Sequence, residues 1–275
     1  MGAVGLKLKI WNTMAQDSNI EWTRHTGNLW WGCTKVHAGC DHCYAETMAK
    51  RWDSDIWGKE KPRLMVKSFF TDLAKYQKLA AQSNEMHRVF VGSMMDIFEK
   101  PMPLIDHNGN KLGFNTGALR DDFFRLIGLG AYPNLMPLLL TKRPSNINTY
   151  TPEYWKETPP ENVIFGTSPV NQETYKNLKK HLLEVNGKRF LSIEPQLADI
   201  DLGDLSGIHW VIQGGESGHH ARPFNLDWAY KMQAQCKEQG VPYFFKQIDK
   251  KQPIPSDLLN SREFPKCNLH KLKRQ

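Results

Sequence analysis

The sequence predicts an α/β fold built on a mostly parallel sheet. Short apolar, β-branched runs recur from about residue 88 onward, amphipathic stretches lie between most of them, and polar or charged residues follow every run. The runs cover 88–92, 135–140, 162–166, 189–193, 209–213 and 242–245. Their near-continuous apolar character fits strands buried on both faces, as in a doubly wound sheet or a barrel. The helical stretches cover 121–129, 172–185 and 226–239, the last stopped by Gly240 at the position where helices turn left-handed. Strands alternating with helices imply parallel pairing with helices outside. Parallel strands present their carboxyl ends on one face, so six sequence-distant exits converge there: Ser93 to Asp96, Thr141 to Pro144, Thr167-Ser168, Glu194-Pro195, Gly214 to Ser217, and Lys246-Gln247.

With 275 residues, 40% hydrophobic and 11% aromatic, the chain can bury a substantial core, which excludes wholesale disorder. We expect a single domain over 1–275, with an N-terminal extension at 1–30 and a basic tail at 266–275. A Gly- and Asn-rich insert at 107–117 reads as a surface loop or small hairpin. No run approaches the roughly 18–20 apolar residues of a membrane span, and the longest, 135–140, contains Pro137. No secretory leader is evident, because Lys7, Lys9 and Asn12 interrupt the start. A soluble, cytoplasmic protein is the expectation.

The five cysteines do not read as a disulfide framework, because Cys33, Cys40 and Cys43 fall within eleven positions while Cys236 and Cys267 are distant. Gly32 precedes the first and Gly39 the second, and Cys43 leads into a helix-like run at 44–51. Three thiolates in one loop can hold three corners of an iron–sulfur cluster or three positions of a tetrahedral zinc. Zinc would need a fourth ligand from His37, His42 or Cys267, and there is no second short cysteine pair. A cubane on three thiolates leaves one iron open, which implies chemistry. Cys236 shares an apolar helical face with Trp228, Ala229 and Met232 and reads as a core thiol, while His219-His220 reads as an exposed loop pair.

The three-cysteine loop, preceded by Glu21-Trp22-Thr23 and followed by Tyr44-Ala45-Glu46, resembles the three-Cys-motif branch of the radical SAM superfamily found in phages and bacteria. The blocks VGSMMD at 91–96, LTKRP at 140–144, FGTS at 165–168, SIEP at 192–195 and GGESG at 214–218 extend that resemblance over most of the chain. It implies a partial (β/α) barrel of parallel strands with an N-terminal cluster-binding loop. It also implies a 4Fe–4S cluster on Cys33, Cys40 and Cys43, which form the metal site and the catalytic centre. S-adenosylmethionine would chelate the fourth iron. Its reductive cleavage, fed by an external one-electron donor, would give a 5′-deoxyadenosyl radical. Six residues rather than the usual three separate the first two cysteines, and His42 stands where an aromatic residue usually precedes the third.

S-adenosylmethionine carries an ammonium, a carboxylate and a ribose diol, so its site needs acceptors and a cationic donor. Ser93 and Asp96 can accept from the amine or ribose, and Lys142 or Arg143 can pair with the carboxylate, an arginine in bidentate fashion. Thr167 and Ser168 complete the candidate cofactor-binding set, with Glu194 and Glu216 as alternative acceptors. Gly214-Gly215-Glu216 resembles the GGE motif that holds the cofactor amine in the superfamily. Its late position assigns Glu216 instead to substrate or ribose.

Lys+Arg number 36 against 29 Asp+Glu, a formal +7, which suits a polyanionic partner. Basic clusters at Lys50-Arg51, 59–63, Lys179-Lys180, Lys250-Lys251 and 271–274 alternate with Trp52, Trp57 and Phe69-Phe70, which can stack on bases. The family resemblance implies a DNA substrate: isomerisation of an aminoacyl adduct of 5-hydroxymethyluracil in phage thymidine hypermodification. That setting adds partner enzymes of the same pathway and, for a phage-encoded chain, the host cytoplasm. A zinc-stapled nucleic-acid-binding protein without catalysis is the alternative from another class. A radical SAM enzyme on a small molecule or tRNA is the third reading.

Overall fold

Alternation along the strands organises the molecule. The structure, a computed structural model, describes residues 18–51, 54–217 and 221–265. The basic tail with Cys267, the His219-His220 pair, Trp52 and the first part of the expected N-terminal extension lie outside the described residues. In chain order the elements are β1 (His25–Gly27), β2 (Trp30–Trp31), α1 (Tyr44–Arg51), β3 (Arg63–Met65), α2 (Phe69–Ser83), β4 (His87–Val91), β5 (Pro103–Ile105), β6 (Lys111–Asn115) and α3 (Thr116–Gly128). There follow β7 (Leu135–Thr141), α4 (Ile147–Tyr150), β8 (Ile164–Thr167), α5 (Gln172–Leu183), β9 (Lys188–Ile193), β10 (Trp210–Gly214), α6 (Asp227–Glu238), β11 (Tyr243–Gln247) and α7 (Ser256–Asn260).

The main sheet has seven strands in the order β1-β4-β7-β8-β9-β10-β11, every adjacent pair parallel. It curls into a half-barrel, consistent with a partial β/α barrel. Because sequence order equals spatial order, all seven carboxyl ends form one continuous rim. The six predicted strands are present with ends shifted by only a residue or two. A second, four-stranded sheet, β2-β3-β5-β6, mixes one parallel pair with two antiparallel ones.

Within each main strand, alternate side chains feed two different cores, as a period of two requires. Val89, Leu139, Phe165, Leu191, Val211 and Phe245 face outward to meet helical residues such as Leu73, Phe123, Leu182 and Met232. Phe90, Leu138, Ile164, Phe190, Trp210 and Phe244 form a second cluster with Trp22. That cluster includes no helical residue, so it fills the concave face. Cys236 belongs to the outer core and is fully buried, as expected.

One expectation needs correction. Described residues of the stretch 1–30 are not an appendage: β1 pairs with β4 from His25↔Val89 to Gly27↔Val91, and Trp22 sits 2% exposed in the concave core. The insert 107–117 takes its hairpin form, with β6 antiparallel to β5 and Thr116 already opening α3. Between β9 and β10 no helix intervenes. Ile200, Leu202, Leu205 and Ile208 from an irregular segment cover the outer core instead. Among the described residues no helix is long and apolar enough to cross a membrane.

Gly166 on β8 has no room for a side chain, since a Cβ there would come within 2.2 Å of the Phe190 ring. Gly166→Ala should therefore lower stability by about 1–3 kcal/mol, read as an earlier urea midpoint. An unchanged midpoint would show that Phe190 can give way.

Candidate functional site

The rim of the half-barrel surrounds a cavity of about 490 Å³, a size usual for small-molecule sites. Cys33, Cys40 and Cys43 all line it, together with Ser93, Asp96, Lys142, Arg143, Ser168, Glu194 and Glu216. Ten of the eleven sequence-predicted site residues thus meet in one place. Thr167 does not: it is fully buried and its hydroxyl donates to the Thr141 carbonyl at 2.9 Å, so it joins strands.

The cysteine loop leaves the sheet just after β1 and β2 and returns through α1. All three thiols are free and half-buried. Its first bend needs Gly32, at φ +110°, where a Cβ would lie 2.3 Å from the Ile56 carbonyl oxygen and 2.8 Å from Arg63 Cδ. Near Cys33 lies a buried ion pair that the sequence did not single out. Arg63 holds Glu99 in a two-point pair, Nε to Oε2 at 2.9 Å and Nη2 to Oε1 at 2.8 Å, with side chains 0% and 3% exposed. Arg63 also donates to the carbonyls of Ile56, Gly58 and Lys61 and to Thr34 Oγ1. Beside it, Arg143 donates to Asp96 Oδ2 at 2.7 Å, to the Thr34 carbonyl at 2.5 Å and to Cys33 Sγ at 3.9 Å.

Asp96 is fully engaged, accepting also from Thr141 Oγ1 at 2.7 Å, from the Phe98 amide at 3.0 Å and from the Lys142 amide at 3.2 Å. Burial, then Asp96 and Glu99, push the Cys33 thiol up to about 12 against the opposing effect of Arg143. Burial works against the Arg143 charge too, but Asp96, Cys33 and Glu99 outweigh it and hold the guanidinium protonated.

A second clamp fastens the far side of the loop. Glu216, at the exit of β10, accepts from His42 Nδ1 at 3.0 Å and from Arg222 through its amide and Nε at 3.0 Å and Nη2 at 2.6 Å. Arg222 reaches on to the Ala38 carbonyl at 3.4 Å. Tyr44, next to Cys43, donates to the Ser93 carbonyl at 2.6 Å. His37 accepts from the Gly39 amide through Nδ1, and burial followed by Lys142 and Arg143 pushes its imidazole down to about 4. Both histidines named as possible zinc ligands thus have a nitrogen bonded within the protein. Among the described residues no three His, Cys, Asp or Glu side chains gather around one point as a single-ion site.

The remaining rim groups are less committed. The Lys142 amine reaches only Ser168 Oγ, at 3.4 Å, among the described residues. Glu194 pairs with Lys246 through Oε1, leaving Oε2 without a partner among the described residues. Ser93 Oγ accepts from Asn28 Nδ2 at 2.8 Å, and Ser168 Oγ donates to the Glu194 carbonyl at 3.0 Å. Lys246, a strand-exit residue to which the sequence assigned no role, is the partner that fixes Glu194. Arg63, Glu99, Arg222 and Asn28 were missed as well. Arg63 is 0% exposed although its run 59–63 reads as a surface cluster, and Phe69 is likewise core at 1%, so neither contributes to a basic, base-stacking surface.

An α/β protein with a cysteine-lined cavity at the carboxyl ends of its parallel strands is thus defined by fold and site. Residues 17–260 match the family described as "Protein of unknown function (DUF5131)", and the chain belongs to that family. No curated protein and no solved structure matches it.

Two outcomes follow from these clamps. Arg63→Met leaves the Glu99 carboxylate buried without its partner and should cost about 3–5 kcal/mol in urea unfolding, with a loss below about 1 kcal/mol refuting the network's role. Burial pushes the Glu216 carboxyl up, but bonds from Arg222 and His42 prevail and hold it below its ordinary 4.5. Its contribution to stability is then complete above pH 4.5 and lost as the pH falls through the lower folded value. The thermal midpoint of the native chain should drop more steeply on acidification below that point than that of Glu216→Gln, and parallel curves would refute the clamp.

Proposed function

We propose that the chain is a radical SAM enzyme, with a 4Fe–4S cluster on Cys33, Cys40 and Cys43 and S-adenosylmethionine as second cofactor. The observation that carries this reading is that three free thiols, on the loop between β2 and α1, line one cavity at the carboxyl ends of seven parallel strands. The donor set fits: soft sulfur ligands, no disulfide among them, and adjacent space for a second ligand. When bound, the cluster supplies an electron to S-adenosylmethionine and so a 5′-deoxyadenosyl radical that can take hydrogen from an unactivated C–H bond.

The chain's own residues bind and orient. Lys142 offers its amine to the cofactor carboxylate, and Glu194 Oε2 accepts from the ammonium. The hydroxyls of Ser93 and Ser168 serve the polar groups between. Trp22 and Phe90, which reach the cavity from the concave core, exclude water from its deep end. Asp96, Arg143 and Glu216 act on the loop rather than on the cofactor.

As substrate we propose a modified thymine in DNA, an aminoacyl adduct of 5-hydroxymethyluracil whose linkage moves from the amino acid nitrogen to its α-carbon. An external one-electron donor, partner enzymes of a hypermodification pathway and a cytoplasmic location, the host's for a phage-encoded chain, belong to the same reading. Support comes from the net +7 and from Lys250 and Trp57 lining the cavity.

Anaerobic reconstitution with iron and sulfide, then dithionite and S-adenosylmethionine, should yield 5′-deoxyadenosine. No product from intact, cofactor-bound protein would sink the radical chemistry, and stoichiometric zinc without iron in protein purified without oxygen would point to a zinc staple. Cys40→Ala should lose the brown colour and cluster absorption. Affinity for duplex DNA should fall steeply with salt, whereas a flat dependence would argue against a duplex substrate.

A further inference from the structure

We propose that Arg143 is a positioning residue that sets the reduction potential of the cluster through the sulfur of Cys33. This inference rests on the cluster reading above. The sequence offers Arg143 as a carboxylate partner for the cofactor, but its guanidinium is already spent. Nη2 is tied to the Thr34 carbonyl at 2.5 Å, and Nη1 is shared between Asp96 Oδ2 at 2.7 Å and Cys33 Sγ at 3.9 Å. The side chain is only 14% exposed, so its contact with sulfur is made in a poorly screened setting.

The charges around it act on Cys33 with both signs: Asp96 and Glu99 disfavour a negative sulfur, and Arg143, whose N–H reaches that sulfur, opposes them. Glu99 is neutralised by Arg63 through two bonds and stands 3.8 Å from Arg143, and Asp96 is neutralised by Arg143 itself. Four charges sum to zero, and of them it is Arg143 that donates to Cys33 Sγ, at 3.9 Å. Reduction adds one negative charge to the cluster, part of which falls on its thiolate ligands. A donor to a ligating sulfur stabilises the reduced form more than the oxidised one and raises the potential. Both ends of the Arg143 fork are fixed by other partners, so the donor is held in place before any ligand binds.

This arrangement predicts opposite shifts for two substitutions that each remove one buried charge. Arg143→Gln leaves a net negative set beside Cys33 and should lower the midpoint. Glu99→Gln leaves a net positive one and should raise it. The experiment is a mediated reductive titration of the full chain, reconstituted anaerobically with iron and sulfide and followed by electron paramagnetic resonance. At a fixed potential the reduced-to-oxidised ratio should change at least tenfold for Arg143→Gln, about 59 mV for a one-electron couple. Arg143→Lys, which keeps the charge without the fork, should show a smaller shift of the same sign and serves if the glutamine variant does not fold. Midpoints that stay put, or that move the same way in both charge variants, with iron and sulfide content unchanged, overturn the proposal. So does loss of the cluster from a folded Arg143→Lys, which would make Arg143 a requirement for holding the cluster rather than tuning it. Failure of the native chain to take up iron and sulfide overturns the cluster reading itself and is seen before any variant is compared.

Discussion

The first part of the cysteine loop depends on two arginines, Arg63 fully buried and Arg143 14% exposed. Arg63 and Arg143 fix the start of the loop from β2 to α1 and the segment between α1 and β3, because they supply donors to backbone there that forms no sheet or helix. Arg63 alone serves the carbonyls of Ile56, Gly58 and Lys61, and between them the two arginines take both the hydroxyl and the carbonyl of Thr34. Buried carbonyls without donors are costly, and a planar guanidinium with five N–H groups meets several at once where a lysine could not. Glu99 and Asp96 are then needed to neutralise the arginines. A buried ion pair of this kind does little for net stability compared with apolar packing. What it does here is define one conformation for Cys33 and Thr34, which no apolar side chain of their own could anchor.

The sheet supplies the frame on which that conformation is held. Both faces of the parallel strands are apolar, the outer covered by helices and the inner filled by aromatic side chains. Trp22 lies 4.7 Å from Phe90 and 6.2 Å from Trp210, centroid to centroid, so the concave side is packed rather than hollow. Polar groups are thereby confined to the strand exits, where the seven carboxyl ends meet. The cavity exists because the aromatic layer stops short of that rim and the cysteine loop arches over it.

Legibility in the sequence followed periodicity. The six later strands read correctly because alternate residues in each are apolar on both faces, and α5 and α6 because their apolar positions recur at helical spacing. By the same token α2 was legible and overlooked: Phe69, Leu73, Tyr76 and Ala80 are all buried at helical intervals. β1 was not legible. Its three residues, His25, Thr26 and Gly27, are buried yet polar, with His25 stacked on Tyr76 at 4.0 Å and bonded to His87 at 3.0 Å. No hydropathy pattern marks such a strand. Convergence of the strand-exit residues was predictable from topology, but their division of labour was not. Asp96, Arg143 and Glu216 have the right chemistry for a ligand and are satisfied by one another's neighbours, and Arg63 sits in a lysine-rich run whose other members face water.

That division has a chemical consequence. Once the internal pairs are counted, two rim groups still able to meet a ligand are of opposite sign: the Lys142 amine and the second oxygen of Glu194. Ser168 lies between them, touching the Lys142 amine and the Glu194 carbonyl. A group carrying an ammonium and a carboxylate on one carbon can meet both. The free end of an amino acid is such a group, which accords with the cofactor proposed for this cavity.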